Sequence, residues 1–438
     1  MSDGSGAPTG PKRRPKSRLL LEVRRSSVIE RAWSAIERNA RTSKSLDTRN
    51  EVAAFEEQLP VNLRRLRRLL QQKKFVFPPA RGVRIPKGEK KAANFRPLVV
   101  AKVESRIVQR AIHDVLITVP AIKSFVHTPN SFGGIRKLTH ELSAVPAAIK
   151  AVLDAIGRGH LFFVRSDIAK FFTRIPKSVV TDVVNKAVED DEFMELFSQA
   201  ITVELENMAQ LREHANAFPI EDIGVAQGNS LSPLLGNIFL YDFDSKINGL
   251  SGIRCIRYID DFIVLGTNRI ATESGFATAQ EMLKHLGMNV SSDKTQRGSV
   301  KDKFEFLGIE FANGLLRPCH KARERMLSSI ESIFCGSTNA FRAHRKTNEL
   351  DRKLSLLESL RKVGGVMQGW GKHYRFCNDG DCLRSLDQRI SIQLKKYLST
   401  YREERERTND EGRWRLLGIE ALSRIQREPF YWPTKTDC

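Results

Sequence analysis

Arg257-Tyr258-Ile259-Asp260-Asp261-Phe262 sets two adjacent acids between apolar runs, Cys255-Ile256 before them and Phe262-Ile263-Val264-Leu265 after. Runs of that length, rich in β-branched residues, predict two strands buried against a core. The acid pair then falls at the turn of a β-hairpin. Two carboxylates held that close repel each other unless a cation neutralises them. A hard, oxygen-seeking ion such as Mg²⁺ suits them. Taken alone, the dipeptide is more often an ordinary polar turn, and the rest of the chain decides the matter.

Upstream, Leu161-Phe162-Phe163-Val164 reads as a buried strand that ends in Arg165-Ser166-Asp167-Ile168-Ala169-Lys170-Phe171-Phe172. An acid at the end of an apolar strand is costly unless it is a ligand or is paired. Asp167 is therefore a candidate third carboxylate, against the plainer reading of a core aspartate satisfied by a backbone cap. Between the two strands, Ile223–Pro233 is a Gly/Ser/Pro turn that opens an apolar helix, Leu234–Ile247. After the hairpin, Thr272–Leu286 has helical spacing, and Phe304–Phe311 alternates like a hairpin with one wet face. The order strand, helix, hairpin, helix, hairpin predicts an α+β sheet with helices on one side.

The flanks are basic. The 438 residues carry a formal charge of +21 with 41% hydrophobic residues, which predicts folded units and a polyanionic partner, nucleic acid first. Residues 1–18 read as a flexible basic arm, and 19–74 as a helical region in which Arg64, Arg65, Arg67 and Arg68 oppose a leucine face. That face suits a phosphate backbone or plain solvent. Residues 75–317 form the central region, with its core at about 160–175 and 226–311. Within it, a loop with Lys87, Lys90 and Lys91, followed by Arg96 at a strand start, is suited to gripping a triphosphate. From Pro318 to 438 basic helical segments dominate: Ala322–Ile333, Thr347–Val363, Gly365–Phe376 and Leu383–Arg402. No apolar run is long enough to span a bilayer, so no membrane partner is expected. Six cysteines without a pairing framework point to a reducing, cytoplasmic setting.

These motifs together resemble reverse transcriptases of the group II intron-like and retron superfamily. Tyr258-Ile259-Asp260-Asp261 looks like the family's Tyr-x-Asp-Asp box, and Ser166-Asp167-Ile168 with Phe171-Phe172 its first aspartate motif. Ala226-Gln227-Gly228-Asn229-Ser230-Leu231-Ser232-Pro233 is similar to its template-handling turn. Arg96-Pro97-Leu98 with Glu104–Gln109 resembles the fingers, Ser292-Asp293-Lys294-Thr295 the later lysine motif, and Phe306-Leu307-Gly308 the primer-grip hairpin. The likeness covers about Arg84 to Phe311. A weaker one continues through Gly369–Phe376, which looks like a thumb or maturase segment.

The resemblance implies a right-hand polymerase with fingers, palm and a helical basic thumb. It implies that Asp167, Asp260, Asp261 and the carbonyl of Ile168 hold two Mg²⁺ (or Mn²⁺) ions, roughly 3.5–4 Å apart in such sites. Lys87 and Arg96 would clamp the triphosphate, and Phe172 would exclude a ribose 2′-hydroxyl and so select dNTPs. Gln227 and Gly228 would lie along the template or incoming base, and Lys294 would act as an acid toward pyrophosphate or stand as a surface lysine. Arg106 and Tyr258 would touch nucleic acid, while Trp370 and Tyr374 would stack on it or pack the thumb. Two positions depart from the pattern: Ile259 stands where many relatives carry Ala, and Ala226 where Pro is usual.

The resulting expectation is an RNA-directed DNA polymerase that copies a structured non-coding RNA into DNA in bacterial antiphage defence. The alternatives are a group II intron reverse transcriptase and maturase without an endonuclease, or an RNA-binding splicing cofactor. Expected partners are that RNA, a DNA primer or product, dNTPs, and further copies of the chain through its charged helices. The defence reading rests on the absence, after Pro318, of an RNase H acidic cluster or a Cys/His nuclease module.

Overall fold

The computed structural model describes residues 18–86, 95–134, 142–422, 425–428 and 430. Residues 1–17 of the basic arm, and Lys87, Lys90 and Lys91 of the triphosphate loop, lie outside the described residues. The described strands are β1 (Arg81–Pro86), β2 (Phe95–Val100), β3 (Ser131–Phe132), β4 (Phe162–Asp167), β5 (Ile253–Tyr258), β6 (Asp261–Gly266), β7 (Gln296–Ser299), β8 (Phe304–Phe306), β9 (Ile309–Ala312) and β10 (Leu315–Pro318). They make a β1-β2 hairpin, a five-stranded sheet in the order β3-β5-β6-β4-β7, and a three-stranded sheet β10-β9-β8. The chain divides into two compact units, Met1–Ser299 and Val300–Cys438.

In the first unit, the apolar runs around the acid pair are β5 and β6, joined antiparallel with Tyr258 opposite Asp261. β4 lies on the other side of β6, with Asp167 opposite Asp261 and Ser166 opposite Phe262. Strand alternation then sends each acid and its neighbour to opposite faces. Phe262 goes down into the core, fully buried, with its ring centroid 5.8 Å from Phe243 and 6.1 Å from Phe276. Those two rings come from helices Tyr241–Asn248 and Arg269–His285. A buried phenylalanine of this kind contributes about 1.5–3 kcal/mol, which fixes the register of the hairpin. The α+β order expected from the sequence is the one observed. The helix expected over Leu234–Ile247 is two, Ser232–Phe239 and Tyr241–Asn248. The N-terminal region forms helices Leu19–Val23, Ser26–Arg41, Leu46–Glu57 and Leu59–Gln71.

The second unit begins before the composition changes. The residues from Val300 to Pro318, including the β8–β10 sheet, cluster with the helices that follow Pro318. One reason is visible: Asn378 accepts a hydrogen bond from the Leu316 amide at 2.7 Å, and Arg317 pairs with Asp379 at 3.2 Å. The wet face expected on the hairpin is not wet at Glu310. That carboxylate is buried beneath Lys303, at 3.0 Å, and Arg317. The segments read separately as Thr347–Val363 and Gly365–Phe376 are instead one helix, Leu356–His373. Its apolar face, with Leu356 and Val363 buried, holds it against helices His320–Thr347 and Asp410–Leu417, and that packing outweighs two poor helix formers. Among the described residues, no helix is long and apolar enough to cross a membrane.

Candidate active site

The three acids meet where β4 ends and β5 turns into β6. The turn is two residues long, Ile259 and Asp260, and Ile259 has φ +60°. A positive φ at the first central position suits the right-handed twist of a hairpin but is normally given to glycine. A β-branched residue there is strained and is kept only by its surroundings. The Ile259 amide donates to Phe132 of β3 at 3.2 Å, and the Ile168 amide donates to the Asp260 carbonyl at 2.9 Å. Gly133, at φ +87°, passes so close that a Cβ would stand 3.0 Å from the Ile259 side chain. The backbone of Asp260 is thereby tied to the residue after Asp167.

The electrostatics are those of an under-neutralised acidic site. The Asp167 side chain is more enclosed than that of Asp261, 12% exposed against 32%. Lys294 Nζ donates to Asp167 Oδ2, while Oδ1 is buried with no hydrogen-bond partner. Lys294 reaches Asp167 because its segment is stitched to β4: Ser291 donates to the Asp167 carbonyl at 2.8 Å, and the Ser166 and Thr295 hydroxyls are 2.8 Å apart. Burial pushes the Asp261 carboxyl up to about 6. Arg165, 3.9 Å away, opposes that shift, and the neighbouring Asp260 and Asp167 reinforce it. Burial also raises Asp260, with Asp167 adding repulsion.

A partnerless buried carboxylate oxygen beside two reluctant carboxylates is an all-oxygen donor set, which fits a hard divalent cation. Among the described residues, no three His, Cys, Asp or Glu side chains are closed into a ready cage. Mg²⁺ is commonly held by one or two carboxylates, with water and substrate phosphates completing its shell.

Around the acids lie the other residues singled out from sequence. Val225 donates to the Phe172 carbonyl at 2.7 Å, tying the Gln227 turn to the half-buried Phe172, whose ring packs against the core. Val99 of β2 donates to the Gln227 carbonyl at 2.9 Å. Gly228, at φ +111°, lies so near β2 that a Cβ would stand 2.7 Å from the Val99 carbonyl. Arg96 is exposed on β2, opposite Ile85. Asn39, Arg106, Arg110, His113, Ser230 and Tyr258 line a cleft of about 500 Å³ that also reaches Gly228. Arg106 Nη1 is buried there without a partner, and burial raises the Tyr258 hydroxyl. Trp370 and Tyr374 belong to the second unit, their ring centroids 4.7 Å apart, with Trp370 packed on that unit's core.

Sequence reasoning missed two groups of residues. Arg165 stands two before Asp167, so strand periodicity alone places both on one face. Lys170 and Arg174 wall a cleft of about 670 Å³ with Phe95 and Gln227, adding positive charge that spacing along the chain does not reveal.

With the geometry in place, the comparisons are informative. The family profile described as reverse transcriptase (RNA-dependent DNA polymerase) matches residues 85–311. Protein YkfC of Escherichia coli (strain K12) is 26% identical over 338 residues, 69% of this chain and 84% of that protein. The putative COX1/OXI3 intron 2 protein of Saccharomyces cerevisiae is 27% identical over 189 residues, 42% of this chain and only 20% of its own length. Among solved structures, a chain of the partial Cas6-RT-Cas1–Cas2 complex is 21% identical, covering 65% of this chain and 44% of its own, with a TM-score of 0.33, too loose a likeness to bear on this chain. The profile match spans more than half of the sequence and encloses all three aspartates, the Gln227 turn and Lys294: the chain belongs to the reverse transcriptase family and is an RNA-directed DNA polymerase.

Proposed function

We propose that this chain polymerises dNTPs into DNA at Asp167, Asp260 and Asp261, using two Mg²⁺ ions, with a structured non-coding RNA as template. The observation that carries the reading is the meeting of three acids at one sheet end, one of them with a buried oxygen that lacks a partner. When bound, the ions supply Lewis acidity toward the primer 3′-hydroxyl and neutralise the leaving pyrophosphate. Asp260 orients the reacting groups from the turn, Asp261 from the start of β6, and Asp167 from the end of β4. The primer 3′-hydroxyl gives up its proton to water as its oxygen bonds to the α-phosphorus, the bond from that phosphorus to the bridging oxygen breaks, and pyrophosphate departs. Lys294 Nζ, released from Asp167, gives a proton to the pyrophosphate oxygen.

Arg96 faces the triphosphate, joined by Lys170 and Arg174 from the larger cleft. Phe172 packs under the sugar and excludes the ribose 2′-hydroxyl. The partnerless Arg106 Nη1 and the Tyr258 hydroxyl offer polar groups to a template strand in the smaller cleft, beside Gln227 and Gly228. The formal charge of +21 supports a long nucleic-acid footprint.

For the setting we propose cytoplasmic antiphage defence, motivated by the intact set of Asp167, Asp260 and Asp261. The intron reading is favoured by a different observation: one relative is an intron protein by name. One experiment addresses both. The wild type and the Asp260→Asn/Asp261→Asn variant are purified from the native host, assayed for dNTP incorporation on primed RNA, and their bound nucleic acids sequenced. Incorporation by the wild type alone, with a recurrent non-coding RNA and DNA absent from the variant, supports the proposal. Intron RNA with no DNA difference moves the chain to splicing. Equal incorporation by both proteins removes Asp260 and Asp261 from the chemistry.

A further inference from the structure

Arg257, the residue before the Tyr-x-Asp-Asp box, is the largest fully buried side chain among the described residues. A buried guanidinium is expensive unless every N–H finds an acceptor, and here all five do. Nε donates to Asp244 Oδ1 at 2.8 Å and Nη2 to Asp244 Oδ2. Nη2 also donates to Ser131 Oγ at 2.8 Å, and Nη1 to Asn237 Oδ1 at 3.2 Å. The fifth donor reaches forward: Nη1 donates to the carbonyl of Ile259, the strained turn residue, at 2.8 Å.

The acceptors come from separate elements. Ser131 lies on β3, whose Phe132 carbonyl receives the Ile259 amide. Asn237 also donates to the Gly133 carbonyl at 3.2 Å and sits on the helix that Ser232 and Pro233 of the Gln227 turn begin. Asp244 sits on the next helix. Ile259 is therefore gripped at both its amide and its carbonyl, and the carbonyl grip runs through one side chain to the helix behind the template turn.

We propose that Arg257 is a positioning residue for the reaction: its guanidinium holds the left-handed turn at Ile259, and so sets Asp260 and Asp261 against the Gln227–Gly228 turn. The inference rests on the catalytic reading of those two aspartates. A bare charge pair with Asp244 would need only the Nε and Nη2 edge; the Nη1 edge is spent on the turn. Lysine cannot replace it, because an ammonium has three donors and no planar fork.

The test uses two variants of the full chain. Arg257→Met/Asp244→Leu removes both charges together, a change that buried pairs commonly tolerate in stability, and leaves the Ile259 carbonyl without its donor. Arg257→Lys keeps the charge and loses the fork. Measured for each are thermal midpoint, primer–template affinity, kcat and KM for dNTP, and metal-free hydrogen–deuterium exchange across residues 253–266. The expected result is folded protein with unchanged affinity and KM, faster exchange at Ile259–Asp261, and kcat lowered by about 10- to 100-fold. Wild-type kcat with wild-type exchange in either folded variant overturns the inference, as does a parallel loss of kcat and nucleic-acid affinity. If the paired variant does not fold, Arg257→Lys decides alone. Failure of the wild type to incorporate dNTPs would count against the catalytic reading instead, and the exchange measurement would still test the brace.

Discussion

At the scale of the residue, Asp261 carries the clearest conflict between folding and function. Its carboxyl is pushed up to about 6 from an ordinary 3.8, chiefly by burial at the end of a packed strand, where the proposed chemistry needs an acid. The native protein therefore holds that proton more tightly than the unfolded chain does. The cost of ionising Asp261 grows as pH rises from about 4 to about 6 and is constant above that window. Asp261→Asn does not titrate. In metal-free buffer its thermal stability relative to wild type should rise through the same window, by on the order of 2 kcal/mol after solvent screening of a side chain about one third exposed. Adding Mg²⁺ should narrow the gap at neutral pH, since the ion stabilises only the carboxylate. Thermal melts of both proteins across pH 4–8 check this, and a pH-independent difference would show that burial does not strain Asp261.

At the scale of the element, the Gln227 turn depends on contact with β2 more than on its own sequence. Gly228 needs a left-handed backbone and also an absent Cβ, because Val99 O would stand 2.7 Å from one. Gly159 is a natural control, with φ +89° and nothing within 4 Å. Gly159→Ala should lose only the backbone term, about 1 kcal/mol, whereas Gly228→Ala should lose about 2–3 kcal/mol and raise KM for dNTP as the turn shifts. Equal losses in the two melts would mean that the turn is not pressed on β2. This contrast also marks what was legible beforehand. The β5–β6 hairpin was readable because Phe262–Leu265 is a run that only a buried strand accommodates, and Asp167 because an acid closes a similar run. Arg257 was not, since a charged residue beside an acid pair reads as surface until burial is known. Glu310 misled for the same reason: its partners Lys303 and Arg317 come from either side of the hairpin, and alternation alone sends it to water. The unbroken helix through Gly364-Gly365 was hidden because packing, not propensity, decides a long helix.

At the scale of the whole molecule, charge governs how the polymerase finds its substrate. The formal charge of +21 is spread over both units, from Arg64 to Arg68 in the first to Arg342, Arg345 and Lys346 in the second. An extended basic surface binds nucleic acid by releasing counterions, so affinity should fall steeply with salt. With about six phosphates neutralised, the loss between 50 and 200 mM salt would be roughly three orders of magnitude. On the proposed reading the three acids work against this attraction, because they place negative charge where a phosphate backbone must pass. Asp260→Asn/Asp261→Asn should therefore bind primer–template at least as tightly as wild type in metal-free buffer, with the same salt slope, while losing incorporation. A chain evolved only to bind RNA would gain from such a change and has no use for the acids; a polymerase tolerates their repulsion because the ions that chemistry requires reverse it. Filter-binding isotherms at several salt concentrations, with and without Mg²⁺, separate the two. If the variant binds more weakly than wild type without the metal, the aspartates hold the fold of the nucleic-acid surface and are not a site kept for cations.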